Sequence, residues 1–171
     1  VSTPPDITRP HPDECYPTVD EVGAFLRART QDDDDQEIGT FTPDTRPTDD
    51  EVQKLINRAA GVVYGTVGSP NDWTCSSSAD IQDQAKSWII LLVCMLIELS
   101  YFPEQVRSDR SAFQGYKDLW DDETVGFNVF REAAIACGGT GTDPEGGASA
   151  AFPSFAFPVD IGGMVGWQTS W

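Results

Sequence analysis

Basic residues are what this chain has least of. Eleven Lys and Arg stand against 28 Asp and Glu, a formal net charge of -17. A binder of nucleic acid or of an anionic membrane needs basic patches to neutralise phosphates, and this composition argues strongly against one. It leaves room for a wall past which DNA slides, where negative charge would prevent sticking. Histidine is scarcer still: His11 stands alone between Pro10 and Pro12. Ser-His and Cys-His mechanisms therefore lack a plausible base, and His11 reads as an exposed loop residue. No P-loop, GxGxxG or HExxH pattern occurs. The glycine pairs at 138–139, 146–147 and 162–163 read as flexible links, because no strand pattern precedes them. Long apolar runs are missing too. The one membrane candidate, Trp88 to Ile97 between Lys86 and Glu98, falls short of the roughly 20 residues a span requires. A membrane-active lysis protein would have to work through that run; a buried helix is the expectation. The polar, proline-rich opening Val1-Ser2-Thr3-Pro4-Pro5 does not read as a secretory leader.

The cysteines, Cys15, Cys75, Cys94 and Cys137, form no CxxC pair, and with a single His they offer no zinc spacing. Two disulfides are possible, but reduced thiols in a cytosolic setting are expected. Cys94 lies inside an apolar run, where a small buried thiol is the default.

What is present is helical patterning. Residues 1–17, with five prolines, read as an extended arm. Thr18-x-x-Glu21 fits a capping box, followed by Val19, Val22, Phe25 and Leu26 at helical spacing and fading near Arg29. Thr30 to Pro47 is polar and reads as a solvated loop. Thr48-x-x-Glu51 opens a second helix with a stripe of Val52, Leu55, Ile56, Ala59 and Val63, which Gly65, Gly68 and Pro70 should end. Trp73, in the loop that follows, reads as a lid over the core or an interface anchor. A third helix, Ala79 to Tyr101, is apolar all round and must be central, enclosed by its neighbours or by copies of itself. Phe102-Pro103 stops it. Asp109 to Trp120 and Phe127 to Cys137 read as two more helices. The fold class expected is all-α: a small helical bundle around a central apolar helix, with extended N-terminal and C-terminal arms. Its boundaries are 1–17, 18–137 and 138–171.

Candidate functional residues fall in three places. Asp32, Asp33, Asp34 and Asp35 are four successive carboxylates, a solvated acidic loop that would face a lumen or the outside. The alternative function, a small acidic metal-binding enzyme or regulator, would use them, although no EF-hand spacing supports it. Glu98, near the end of the apolar helix, would act as a general acid if its pKa were raised; pairing with Lys or Arg is the plainer reading. The third place is the tail from Gly138 to Trp171. It has eight glycines, three prolines and no Lys or Arg, yet it carries Phe152, Phe155, Phe157, Trp167 and Trp171. Too broken to build a core and too aromatic for an ordinary disordered tail, it reads as apolar anchors awaiting a protein surface.

The order of these pieces resembles the head–tail connector adaptors of long-tailed bacteriophages, over roughly residues 17 to 136. The segments PTDDEVQKLINRAAGVVYGTVG and LIELSYFPEQVRSDRSAFQGYKDLWDDE carry the likeness, the latter to actinobacteriophage members. The resemblance implies a ring, of twelve copies, that joins the portal to a stopper or other tail-connector protein and lets double-stranded DNA pass. It implies a virion neck protein assembled in the host bacterial cytoplasm, with no enzymatic activity, no cofactor and no membrane. A C-terminal extension that docks on the portal is implied too, and Ala151 to Trp171 matches it by position. The five tail aromatics are then the anchors, on the portal or on a neighbouring subunit. The long Thr30–Pro47 loop and the length of both arms depart from the family's commoner pattern.

Overall fold

The computed structural model describes residues 11–30, 36–106 and 111–140. Their regular structure is helical: α1 (Val19–Phe25), α2 (Asp49–Val67), α3 (Ser78–Tyr101), α4 (Pro103–Val106), α5 (Ala112–Asp121) and α6 (Phe127–Ala136). Single 3-10 turns lie at Asp13–Cys15, Arg27–Arg29 and Pro70–Asp72, and no β-strand occurs among the described residues. The chain is thus an all-α bundle. Residues 1–10 and 141–171, most of the two expected arms, lie outside the described residues.

Local chemistry starts and stops these helices. Both capping boxes form. Thr18 Oγ1 accepts the Glu21 N–H at 3.2 Å, and Glu21 accepts the Thr18 N–H at 2.6 Å. The Thr48–Glu51 pair repeats the exchange at 3.3 and 3.0 Å. Each box satisfies two helix-end donors that would otherwise lack partners. The first helix is shorter than its apolar spacing suggests, since Arg27–Arg29 tightens into a 3-10 turn. At α2 the chain passes Gly65 and leaves the helix at Gly68, whose φ is +91°. Ser111 accepts the Gln114 N–H at 3.2 Å and so starts α5 at Ala112, later than the spacing alone implied.

α3 is the hub, packed against α1, α2, α4, α5 and α6. Ile81, Ala85, Ile89, Leu92, Val93 and Leu96 of α3 are buried, as are Val52, Ile56, Ala59, Val63 and Val67 of α2. Trp73 is buried as well, so the loop after α2 does supply a lid. On the other side Trp120 stacks on Phe127 with ring centroids 4.2 Å apart, and Trp88 meets both rings edge-on at 5.6 and 5.7 Å. Such edge-to-face clusters add to the burial of the rings themselves.

Several expectations need correction. Cys75 and Cys137 form a disulfide with Cα atoms 4.9 Å apart, while Cys15 and Cys94 are free and buried. Four reduced thiols were expected because no spacing reveals that the loop after α2 meets the end of α6. The Thr74 N–H donates to the Cys137 carbonyl at 2.9 Å at the same junction. The stretch read as an arm belongs to the bundle over residues 11–17, where Cys15 and Tyr16 are buried and the Tyr64 hydroxyl donates to the Cys15 carbonyl. The Thr30–Pro47 loop is not simply solvated. Phe41 enters the core, and Thr30 and Thr45 are buried with their hydroxyls bonded to loop backbone. Phe25, expected on the apolar stripe of α1, is 64% exposed, because the helix turns its Val22 side inward. Finally, α3 is not enclosed all round: Gln84 and Ser87 are exposed and Trp88 and Leu91 half-buried, since no described neighbour covers that strip.

Candidate functional site

The residues expected to bind partners, Phe152, Phe155, Phe157, Trp167 and Trp171, lie outside the described residues, as do Asp32, Asp33, Asp34 and Asp35. Two features of the described residues bear on the site: the packed junction at Gly138-Gly139, and the surfaces left open on the bundle.

The root is a packed wedge, which corrects the reading of Gly138-Gly139 as a flexible link. Gly138 has φ +110°, and a Cβ there would sit 2.7 Å from the Asp72 carbonyl oxygen. A Cβ on Gly139 would sit 2.2 Å from the Val67 oxygen and 2.9 Å from that of Ala134. Both N–H groups close the end of α6, Gly138 onto Ile135 and Gly139 onto Ala134, each at 3.0 Å. These are the positions where only glycine lets two backbones approach. With the disulfide one residue earlier, residues 137–139 are fixed beside the C-terminal end of α2.

Beside that point a hollow of about 420 Å³ is lined by His11, Tyr16, Tyr64, Gly61, Gly65, Asp72 and Thr140, among others. His11 is not the isolated loop residue expected: its ring meets Tyr64 edge-on at 4.9 Å, and its Nδ1 lies 3.4 Å from Ser69 Oγ. Burial lowers the His11 pKa, and the Asp72 charge opposes that shift. As a nucleophile and its base this pair is poorly set. The 3.4 Å separation exceeds hydrogen-bond reach for proton abstraction, roughly 2.6–3.2 Å, and Ser69 Oγ already accepts the Asn71 N–H as the cap of a turn. Nor is Glu98 a free acid; its carboxylate is gripped by Arg29. Among the described residues no three His, Cys, Asp or Glu side chains gather as a metal site. α3 is long and apolar enough by length and composition to cross a membrane, and 61% of its most apolar window is buried in the bundle.

A chemical contrast lies over the open strip of α3. Phe25, Trp88, Leu91, Tyr116, Leu119 and Val125 line an apolar hollow of about 220 Å³. It shares Ser87, Trp88 and Val125 with a second hollow of about 410 Å³ that runs along α6 past Val129 and Phe130 to Ala133. Together they form one groove between α3, α5 and α6. Phe25, Val125, Leu119 and Val129 stand 64, 62, 46 and 40% exposed along it. No charged residue lines either hollow, on a chain of net charge -17. Exposed apolar side chains gathered in this way mark interaction surfaces. Sequence reading missed the groove, since Leu119, Val125 and Val129 come from different elements. The one available signal was that α3 is apolar on every side from Trp88 to Ile97, which a small bundle cannot cover on every face.

Comparison with known protein families, characterised proteins and solved structures returned no match for this chain.

Proposed function

We propose that the chain is a structural head-to-tail adaptor of a bacteriophage virion, acting by binding alone. In this reading copies of the bundle form the wall of a ring, of twelve subunits, at the virion neck. The ring joins the portal to the next connector or tail protein and lets DNA pass without holding it. The C-terminal aromatics Phe152, Phe155, Phe157, Trp167 and Trp171 are the fastening.

The observation that carries the proposal is the rigid root of the tail. The disulfide at Cys137 and the Gly138–Gly139 wedge fix where the segment starts on the bundle. A fixed root presents a sticky segment in one direction, which suits an adaptor that must grip a neighbour in register. The acidic surface supports the DNA-passing role, because it offers phosphates no counter-charge. The helix order supports the likeness: a Thr-capped short helix, an acidic linker, a second Thr-capped helix, a long apolar helix, and a break at Phe102-Pro103.

The test is binding to the cognate portal ring. The full chain should co-sediment with the portal, and a chain ending at Cys137 should not. Equal binding by both would overturn the role of the tail, and no binding by either would overturn the adaptor reading.

A further inference from the structure

We infer that the uncharged groove between α3, α5 and α6 is the seat of this chain's own C-terminal segment, with the benzyl groups of Phe152, Phe155 and Phe157 entering it. The inference concerns the free chain and does not rest on the adaptor reading.

Size is the first argument. The hollow around Trp88 and Leu119 measures about 220 Å³, more than the roughly 150 Å³ of a cavity that accepts a benzene ring. The adjoining hollow, about 410 Å³, admits further side chains of the same kind.

Charge is the second. From Gly146 to Val159 the segment has no ionisable side chain, and no charged residue lines the groove. Elsewhere the bundle is strongly acidic, so an acidic partner or a second copy would bring like charges together. The neutral stretch of the tail meets no such repulsion.

Reach is the third. Ala133 bounds the far end of the groove and Thr140 is the last described residue, seven positions on. Ten residues lie between Thr140 and Ala151, and the eleven steps span up to about 36–40 Å when extended. That equals the full length of α3, whose 24 residues measure about 36 Å. The phenylalanines can therefore reach any point of the groove on their own bundle. Pro153 and Pro158 each remove a backbone donor, which lowers the cost of laying the segment against an apolar wall that offers no acceptors.

Chymotrypsin, which cuts after aromatic residues, reads the seat directly in the full, oxidised chain. Cleavage after Phe155, the one of the three not followed by proline, should be slow in the native protein. Leu119→Glu or Val125→Glu, both at exposed positions, should accelerate it by about tenfold or more, since a charge in the seat expels the apolar segment. Ile135→Glu, on α6 but outside the groove, should leave the rate unchanged, and thermal melts verify that each variant is folded. Hydrogen exchange over Leu119–Val129 should rise in the variant carrying F152A, F155A and F157A. The inference is overturned by cleavage that is equally fast in all variants, or by exchange that the triple variant does not alter. Protection that grows with protein concentration would also overturn it, because the occupant would then be a second copy's segment.

Discussion

Arg29 and Glu98 meet through two parallel contacts, Nε to Oε1 and Nη2 to Oε2, both 2.9 Å. The Glu98 side chain is 1% exposed and that of Arg29 18%. The guanidinium also lies over the Phe102 ring, 4.1 Å from its centroid. One side chain thus ties the turn after α1 to the end of α3 and explains how an acid is tolerated inside the most apolar helix. The bidentate fork and the ring face are geometries that Lys would not reproduce.

Removing one partner should cost far more than removing both. Arg29→Met leaves a buried carboxylate without its counter-charge and should lower stability by about 3–5 kcal/mol in urea melts. The double variant Arg29→Met, Glu98→Leu should recover a large part of that loss. If the double variant were as unstable as the single one, Arg29 would be acting through its contact with Phe102 rather than through charge.

The Cys75–Cys137 bond spans 62 residues. Cross-linking a loop of that length constrains the unfolded chain by about 4 kcal/mol on the loop-entropy account. Dithiothreitol, or Cys75→Ser, should lower the melting temperature accordingly. An unchanged melt would mean that the wedge of Gly138 and Gly139 holds this junction without the bond.

The two free thiols should be silent. Burial pushes the Cys94 pKa up to about 12 and raises that of Cys15, so little thiolate exists at pH 8. An aromatic disulfide reagent should titrate no thiol in the native, oxidised protein and two after unfolding. Rapid labelling of the native chain would contradict the burial of both.

Acid should weaken the start of α2. The Thr48 backbone N–H, followed by the Tyr101 hydroxyl, holds the Glu51 pKa below its ordinary value of 4.5. A depressed carboxylate stabilises the fold above its unfolded pKa, and that contribution is lost as pH falls through the folded value. Melting temperature should therefore drop below about pH 4.5, and Glu51→Gln should lose part of this dependence. Thr48→Ala, which removes the other half of the box, should cost about 1 kcal/mol at neutral pH. Equal acid sensitivity in wild type and Glu51→Gln would assign the effect to other carboxylates.

A methyl group at the tail root should not fit. Gly139→Ala would place a Cβ 2.2 Å from the Val67 oxygen, and such overpacking typically costs about 1–3 kcal/mol. Gly61→Ala, where a Cβ meets nothing within 4 Å, is the control and should be neutral or slightly stabilising through helix propensity.

Local sequence chemistry set the helices and their ends. Thr18, Thr48 and Pro103 act on backbone groups within four residues of themselves, and the apolar periodicity of α2 and α3 states which sides seek cover. That is why the all-α class and the central place of α3 were legible. Tertiary structure decided what depends on distant segments meeting. The disulfide joins residues 62 apart, and the Arg29–Glu98 pair joins residues 69 apart. Neither Cys75 nor Arg29 carries a mark naming its partner, because such pairing follows from how helices pack and not from spacing. The same holds for the groove, whose lining comes from α1, α3, α5, α6 and the turn between the last two. Gly138 and Gly139 show the difference most plainly. Their lack of a side chain reads as freedom in the sequence, and in the fold it becomes the fit that anchors the tail.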